Sequence, residues 1–167
     1  PKPDFTKAIE YLTQAQAKNA KDALIPVAIG DAYVGLSENS QAYINYRNAL
    51  NMDPSLLNAK VSQAVITRRA QAYDVAIQNL NDLAVENPDY APIYRELAET
   101  YYLSSLKQEQ EQYRETNKTA VDFYKKYLSL TGDNSVEAKT RYADFLVYSG
   151  NYDELKIVSQ ELANAQG

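Results

Sequence analysis

Apolar positions along the chain follow a helical period. Leu57, Val61, Ala64 and Val65 recur at the steps of one helix face. A polar break at Arg68 to Gln71 interrupts them, and a second pattern opens at Tyr73. It sets Val75, Ala76, Ile77, Leu80, Leu83 and Ala84 facing inward and stops before Asn87-Pro88. A residue preceding proline is pushed out of helical geometry, which explains the stop. Upstream, Asp53-Pro54 reads as an N-cap followed by proline in the first turn, where a missing N–H costs nothing. The prediction is a helix, a tight turn and a second, antiparallel helix.

This unit recurs. Pro54 and Pro88 are 34 residues apart (88 − 54), and the same step links Ala8, Ala42 and Ala76. It also links Gly30, Ala64 and Ala98, then Tyr33, Thr67 and Tyr101, then Leu12, Tyr46 and Leu80. The small columns have a physical reason. Antiparallel helices joined by a tight turn approach closely only where a side chain is absent or is a methyl. Gly30, Ala64 and Ala98 are assigned to the first helix of each pair, and Ala42, Ala76 and Ala120 to the second. Tyr33, Tyr46, Tyr94, Tyr101 and Tyr124 are expected to fill the space beside them.

A helical hairpin of this period, with small residues near its eighth and twentieth positions and a closing proline, resembles the tetratricopeptide repeat. The segments "AYVGLSENSQAYINYRNALNMDP" (Ala32 to Pro54), "YAPIYRELAETYY" (Tyr90 to Tyr102) and "RYADFLVYSGNYDEL" (Arg141 to Leu155) carry the likeness. It covers nearly the whole chain through a shared register rather than one specific motif. Departures are Thr67 at a usually bulky position, Leu83 and Leu155 at usual alanines, and Gly132 in place of the closing proline. The last repeat is also shifted by one residue. The resemblance implies an all-α, right-handed superhelical solenoid of antiparallel helix pairs with about nine helices.

The expected organisation is one array over residues 1–167. Residues 4–19 form the second helix of a truncated repeat, and repeats follow at 23–54, 57–88, 91–132 and 135–165. Ala76 and Ala120 are 44 apart, so the third repeat carries about ten extra residues near 104–116. Shared between two helices, the insertion would lengthen each by roughly 7–8 Å. Its composition is polar apart from Leu106 and Tyr113, which reads as a solvated hairpin tip. The lone first helix leaves an apolar flank uncovered, so either the sequence is a segment of a longer array or Phe5, Ile9 and Leu12 are covered by another chain, self-association there being one expectation. A start at Pro1 rather than Met suggests a fragment or a processed form.

Composition narrows the chemistry. The 167 residues are 45% hydrophobic and 23% charged, which is globular, and 5 Gly with 6 Pro are too few for a turn-rich sandwich. A net charge of −5 with interleaved signs disfavours nucleic-acid binding, which needs a concentrated basic surface. No apolar run is long enough to insert in a membrane. The chain has no Cys and no His, so thiol nucleophiles, disulfides and imidazole ligands or bases are excluded. Glu96/Glu99 and Asp153/Glu154 read as solvated or paired helix charges rather than acid/base couples. "TGDNSVE" (Thr131 to Glu137) lacks the ligand spacing of a calcium loop and reads as a turn into an N-cap at Asn134, with Glu137 three residues on. No phosphate loop, metal site or cofactor is expected, and no enzyme.

The resemblance implies a concave face lined by the first helix of each pair. Carried over by position, that face shows Asp31 and Val34, then Asn58, Ser62, Arg68 and Arg69. It continues with Arg95, Glu96, Glu99 and Tyr102, and ends with Glu137, Thr140, Asp144 and Tyr148. The candidate peptide groove is Asp31, Asn58, Ser62, Arg68, Arg69, Arg95, Glu99, Tyr102, Asp144 and Tyr148. Members that bind acidic chaperone tails use Lys and Asn at positions that here hold Val27, Asp31, Ser62, Pro92 and Glu96, so that specificity is rejected. Arg68, Arg69 and Arg95 either hold an acidic partner segment or pair with Glu99 and neighbouring carboxylates. The expected function is a non-catalytic scaffold binding a peptide segment of a partner protein. The rivals are a spacer module of a larger multi-domain or cell-envelope assembly and a regulatory domain attached to an enzyme. The Asn-, Gln- and Tyr-rich composition is similar to that of repeat proteins of bacterial cell envelopes, with a cytoplasmic location as the alternative.

Overall fold

The computed structural model describes residues 2–165, and its regular elements are helices. The helices are α1 (Phe5–Lys18), α2 (Leu24–Gly35), α3 (Asn39–Met52), α4 (Leu57–Arg69), α5 (Tyr73–Glu86), α6 (Ala91–Ser105), α7 (Gln110–Thr131), α8 (Val136–Ser149) and α9 (Tyr152–Ala165). There are no strands among the described residues. The chain forms two compact units, 1–70 with α1 to α4 and 71–167 with α5 to α9. Within each unit consecutive helices pack on one another.

The close approaches fall on the small residues. In the first unit Ala42, Ala49 and Ala59 are fully buried and join Val27, Tyr46 and Ile66 in one core. Gly30 of α2 faces the Tyr46 ring so closely that an added Cβ would lie 2.6 Å from Cε1. The neighbouring Asp31 then accepts a 2.6 Å hydrogen bond from the Tyr46 hydroxyl. Glycine thus lets the ring lie on the backbone, and the next residue satisfies its polar end. In the second unit Ala98 of α6 and Ala120 of α7 are fully buried beside Val121, Tyr124, Phe145 and Leu146. Ala64 and Ala76, the other members of the small columns, are also buried.

Several local expectations are corrected. Asp53 is the C-cap of α3, not the N-cap of α4. Its carboxylate accepts from the Ser55 amide at 3.0 Å and the Ser55 hydroxyl at 2.6 Å, which fixes the turn and delays α4 to Leu57. The N-cap of α8 is Ser135, not Asn134: its hydroxyl accepts from the Ala138 amide at 3.1 Å. Asp133 accepts from the Ser135 amide and so stiffens the approach to that cap. Val75 is 54% exposed rather than inward. Val34, placed on the concave face, packs against the first unit's core.

The turns between α2 and α3 and between α8 and α9 share a device. Ser37 (φ 62) and Gly150 (φ 75) sit in the left-handed region. The next amides, of Glu38 and Asn151, reach back to the carbonyls of Tyr33 and Leu146 at 2.9 Å. This is the closing pattern that ties off a helix and reverses the chain. Gln71 (φ 62), 34 residues after Ser37 (71 − 37), repeats the left-handed conformation after α4.

The insertion is not shared between two helices. It enters mostly as length in α7, which has 22 residues against 15 in α6. Tyr113 lies half-buried near the start of α7, its ring edge-on to Tyr148 at 6.4 Å, so the segment is not wholly solvated. Asn117 is fully buried, and its amide donates to the Ser105 hydroxyl and the Tyr113 carbonyl, both at 2.8 Å. The α6–α7 hairpin is closed by a polar clasp of its own.

At the other end, α1 has no fully buried residue. Phe5 is half-buried against α2, where a Cβ on Gly35 would meet its ring at 2.5 Å. Part of the apolar flank expected to need another chain is therefore covered from within the unit.

Two glycine substitutions test this packing. Gly30→Ala should lower stability by about 1–3 kcal/mol in urea denaturation, because the fully buried Tyr46 ring cannot retreat. That is opposite in sign to the roughly 1 kcal/mol gain expected from helix propensity alone. Gly35→Ala should speed amide exchange across α1 while leaving α3 protected. Phe5→Ala should do the same, and the double variant should be no worse than either single one.

Candidate functional site

The ten residues singled out from the sequence divide equally between the units. Asp31, Asn58, Ser62, Arg68 and Arg69 lie in 1–70, and Arg95, Glu99, Tyr102, Asp144 and Tyr148 in 71–167.

In the first unit Asp31 is committed to the Tyr46 hydroxyl. Burial, and then the Asp31 carboxylate, push the Tyr46 phenol well above its ordinary range, while Ser62 and Arg69 act in the opposite sense. Arg69 reaches the Val34 carbonyl at 3.4 Å and the Asn39 side chain at 3.5 Å, both long contacts. The Asn58 side chain accepts from the Ala59 amide at 2.9 Å, at the start of α4. Arg68 sits in the last turn of α4, where a basic side chain complements the helix dipole. Asp31 belongs to α2, and Asn58, Ser62, Arg68 and Arg69 all belong to α4.

The second unit is different. A cavity of about 650 Å³ opens between α6 and α8. Arg95 and Glu99 line it from α6, Glu137, Thr140, Arg141 and Asp144 from α8, Tyr124 and Tyr127 from α7, and Asp133 and Ser135 from the connecting loop. At its centre is Arg141, which the sequence reading passed over. The guanidinium grips Glu99 with two 2.6 Å hydrogen bonds and reaches Asp144 at 3.2 Å. It also lies over the rings of Phe145 at 4.5 Å and Tyr102 at 5.2 Å. A planar guanidinium can bond in its plane and stack on its face at once, which lysine cannot. Those hydrogen bonds to Glu99 hold its pKa well above the usual range, so it is a fixed cation.

Aromatic contacts frame this core. Tyr102 and Tyr148 stack at 4.5 Å with an 11° interplanar angle, and Tyr102 meets Phe145 edge-on at 6.1 Å. The Tyr102 phenol is pushed up to about 12, first by its hydrogen bond with Tyr148 and then by burial. Tyr124, also at about 12, is raised mainly by burial, with Tyr127 and Asp133 adding to it. Arg95 pairs with Glu96 at 3.3 Å and lies 5.8 Å over the Tyr127 ring. Glu99 takes its cation from α8 rather than from Arg95. The structure thus brings Glu99, Tyr102, Asp144 and Tyr148 together through Arg141, while Arg95, one turn before Glu99 on α6, pairs with Glu96 instead. Arg141, Tyr127 and Asp133 were missed, since the positional rule for the concave face skips them. The available signal for Arg141 was its spacing from Phe145, one turn along the same helix.

Among the described residues no three carboxylates converge as a metal cluster, and no helix is long and apolar enough to cross a membrane.

Neither a family model nor a curated protein matches the sequence. Solved structures do match the fold. MamA from Desulfovibrio magneticus RS-1 superposes with a TM-score of 0.68 at 14% identity, over 97% of this chain and 85% of that one. A tetratricopeptide repeat protein from Parabacteroides merdae gives 0.66 at 20% identity, over 98% and 60%. TTC0263, a tetratricopeptide repeat protein from Thermus thermophilus, gives 0.71 at 16% identity, over 84% and 73%. The fold is that of a tetratricopeptide repeat array. In the repeat register expected from the sequence, α6 and α8 are the first helices of successive pairs and α7 a second helix, which would set the cavity between two first helices.

Two measurements check the electrostatics. Arg141→Lys keeps the charge but loses the two-pronged grip and the stacking, and should cost about 1–2 kcal/mol of unfolding free energy. Because Tyr102 and Tyr124 are raised in the folded state, the stability they contribute is complete below pH 10 and declines as pH climbs through about 12. Helicity followed by circular dichroism should fall over that window, together with the late rise of tyrosinate absorbance.

Proposed function

We propose that the chain is a non-catalytic interaction scaffold that binds a segment of a partner protein, with the cavity between α6 and α8 as the principal contact. The observation that carries this reading is the construction of the cavity. Its charged centre is immobilised by hydrogen bonds and ring stacking before any partner arrives. Its walls offer tyrosine, the side-chain type that supplies contact area at low entropic cost. A rigid site on rigid helices loses little further freedom on binding. At about 650 Å³ the cavity is sized for a few residues of a peptide rather than for a whole domain face. The polar side chains of α4, Asn58, Ser62, Arg68 and Arg69, offer a second contact surface on the 1–70 unit. Asp31 is exposed beside them, and one of its oxygens also serves Tyr46.

Site-specific crosslinking in the source organism tests the proposal. A photoreactive residue at Thr140, which lines the cavity, should trap a discrete protein partner. One at Gln78, exposed on α5, should not. Thr140→Arg, which fills the cavity, should abolish binding of that partner. Equal trapping at both positions, or none at Thr140, would reject the cavity as the contact.

A further inference from the structure

We propose that this cavity selects a cationic side chain, a lysine or arginine of the partner segment. The inference rests on the peptide-binding reading and adds the chemistry of what is bound. From the sequence, Arg95 reads either as a hook for an acidic partner or as the pair of a neighbouring carboxylate, and the geometry shows it paired with Glu96. Both arginines of the cavity already have carboxylate partners. Arg141 is held by Glu99 and Asp144 through all three of its nitrogens, and Arg95 pairs with Glu96 through Nε at 3.3 Å. An incoming carboxylate would meet arginines already paired with acids, and the remaining acids of the lining beside them.

Asp133 and Glu137 also face the cavity, and neither forms an ion pair among the described residues. The lining therefore holds two cations and four carboxylates, counting Glu99 and Asp144. The surplus is negative and comes from Glu137 of α8 and Asp133 of the loop before it, the latter accepting from the Tyr127 hydroxyl at 3.3 Å. The inner wall is aromatic: Tyr124 and Tyr127 stand 5.3 Å apart, and the Arg95 guanidinium 5.8 Å from the Tyr127 ring shows that this wall accepts a cationic side chain. An aromatic wall beside an acidic rim suits a long aliphatic stem that ends in a positive charge. The stem packs on the rings and the head reaches the carboxylates. A neutral or acidic side chain of similar length would use the rings and leave the charge surplus unanswered. The cavity is larger than one side chain and accommodates the flanking residues as well.

Fluorescence anisotropy with labelled short peptide pools, randomised except for a central Lys, Arg, Gln or Glu, tests this. The Lys and Arg pools should bind the intact chain about ten-fold more tightly than the Gln and Glu pools. Glu137 is exposed and has no hydrogen-bond partner among the described residues, so Glu137→Lys should fold normally, as circular dichroism will report. It should erase the preference, and Glu137→Gln should reduce it about three-fold. Asp82→Lys makes the same change in net charge on α5, away from the cavity, and should leave the preference in place. A Glu pool that binds as well as the Lys pool overturns the cationic assignment but leaves peptide binding standing. Loss of the preference in Asp82→Lys also overturns it, by tracing the effect to overall charge. If no pool binds the intact chain, the peptide-binding reading falls and this inference falls with it.

Discussion

The structure depends on how closely two helices of a hairpin can approach. Backbone reaches ring only where a side chain is a hydrogen or a methyl, and this chain places those residues at its tightest contacts. Gly30 receives Tyr46, and Ala98 and Ala120 are buried together with Tyr124 and Phe145. Each small residue makes room for a large one on the facing helix. The large residue in turn supplies the buried area that a methyl cannot. Protein interiors pack near crystalline density, so these pairs are not interchangeable, and a methylene in the wrong place is felt.

The aromatic residues at those contacts are mostly tyrosines, which creates a second demand. A buried phenol needs a hydrogen-bond partner, and the chain provides one each time. Tyr46 donates to Asp31, Tyr94 to the Pro88 carbonyl at 2.7 Å, and Tyr142 to Glu154. Glu154 is in turn held by Lys125 at 2.9 Å and by Asn151. Charges near the core therefore exist partly to satisfy phenols, so a charged residue on a helix face is not by itself a binding residue. Asp31 shows this: it is exposed at an expected groove position, and one of its oxygens also accepts from the buried Tyr46 hydroxyl. Arg141 is the converse. It serves the fold through Glu99, and the same restraint gives the cavity a rigid floor.

The fold was legible because its signal is repeated. A single alanine means little, but alanines and a glycine returning at 34-residue intervals mark a packing geometry. The helix-breaking signals were less reliable one by one. Asp53 beside Pro54 has the composition of an N-cap, yet its carboxylate finds Ser55 first and closes the preceding turn. The site was legible only in part. The concave positions that the family resemblance implies put Glu99, Tyr102, Asp144 and Tyr148 in one set. They do not show which opposite charge on the next first helix meets Glu99. That pairing joins residues 42 apart, which is not the repeat length, and it depends on how far the insertion shifts α8 along the sequence.

The insertion also bears on the site through α7. The extra residues near its start carry Tyr113 to the edge of Tyr148. Tyr148 stacks on Tyr102, and Tyr102 lies against the guanidinium of Arg141. At the base of the same extension Asn117 joins α7 to Ser105 at the end of α6. Buried and bonded in this way, it resists sliding of one helix against the other, because any slip would strand its amide without a partner. A regular 34-residue repeat would lack this added helical length, and with it the placement of Tyr113 over Tyr148. The cavity is thus supported from a direction that only the irregular repeat supplies, and the departure from periodicity helps to hold its charged centre in place.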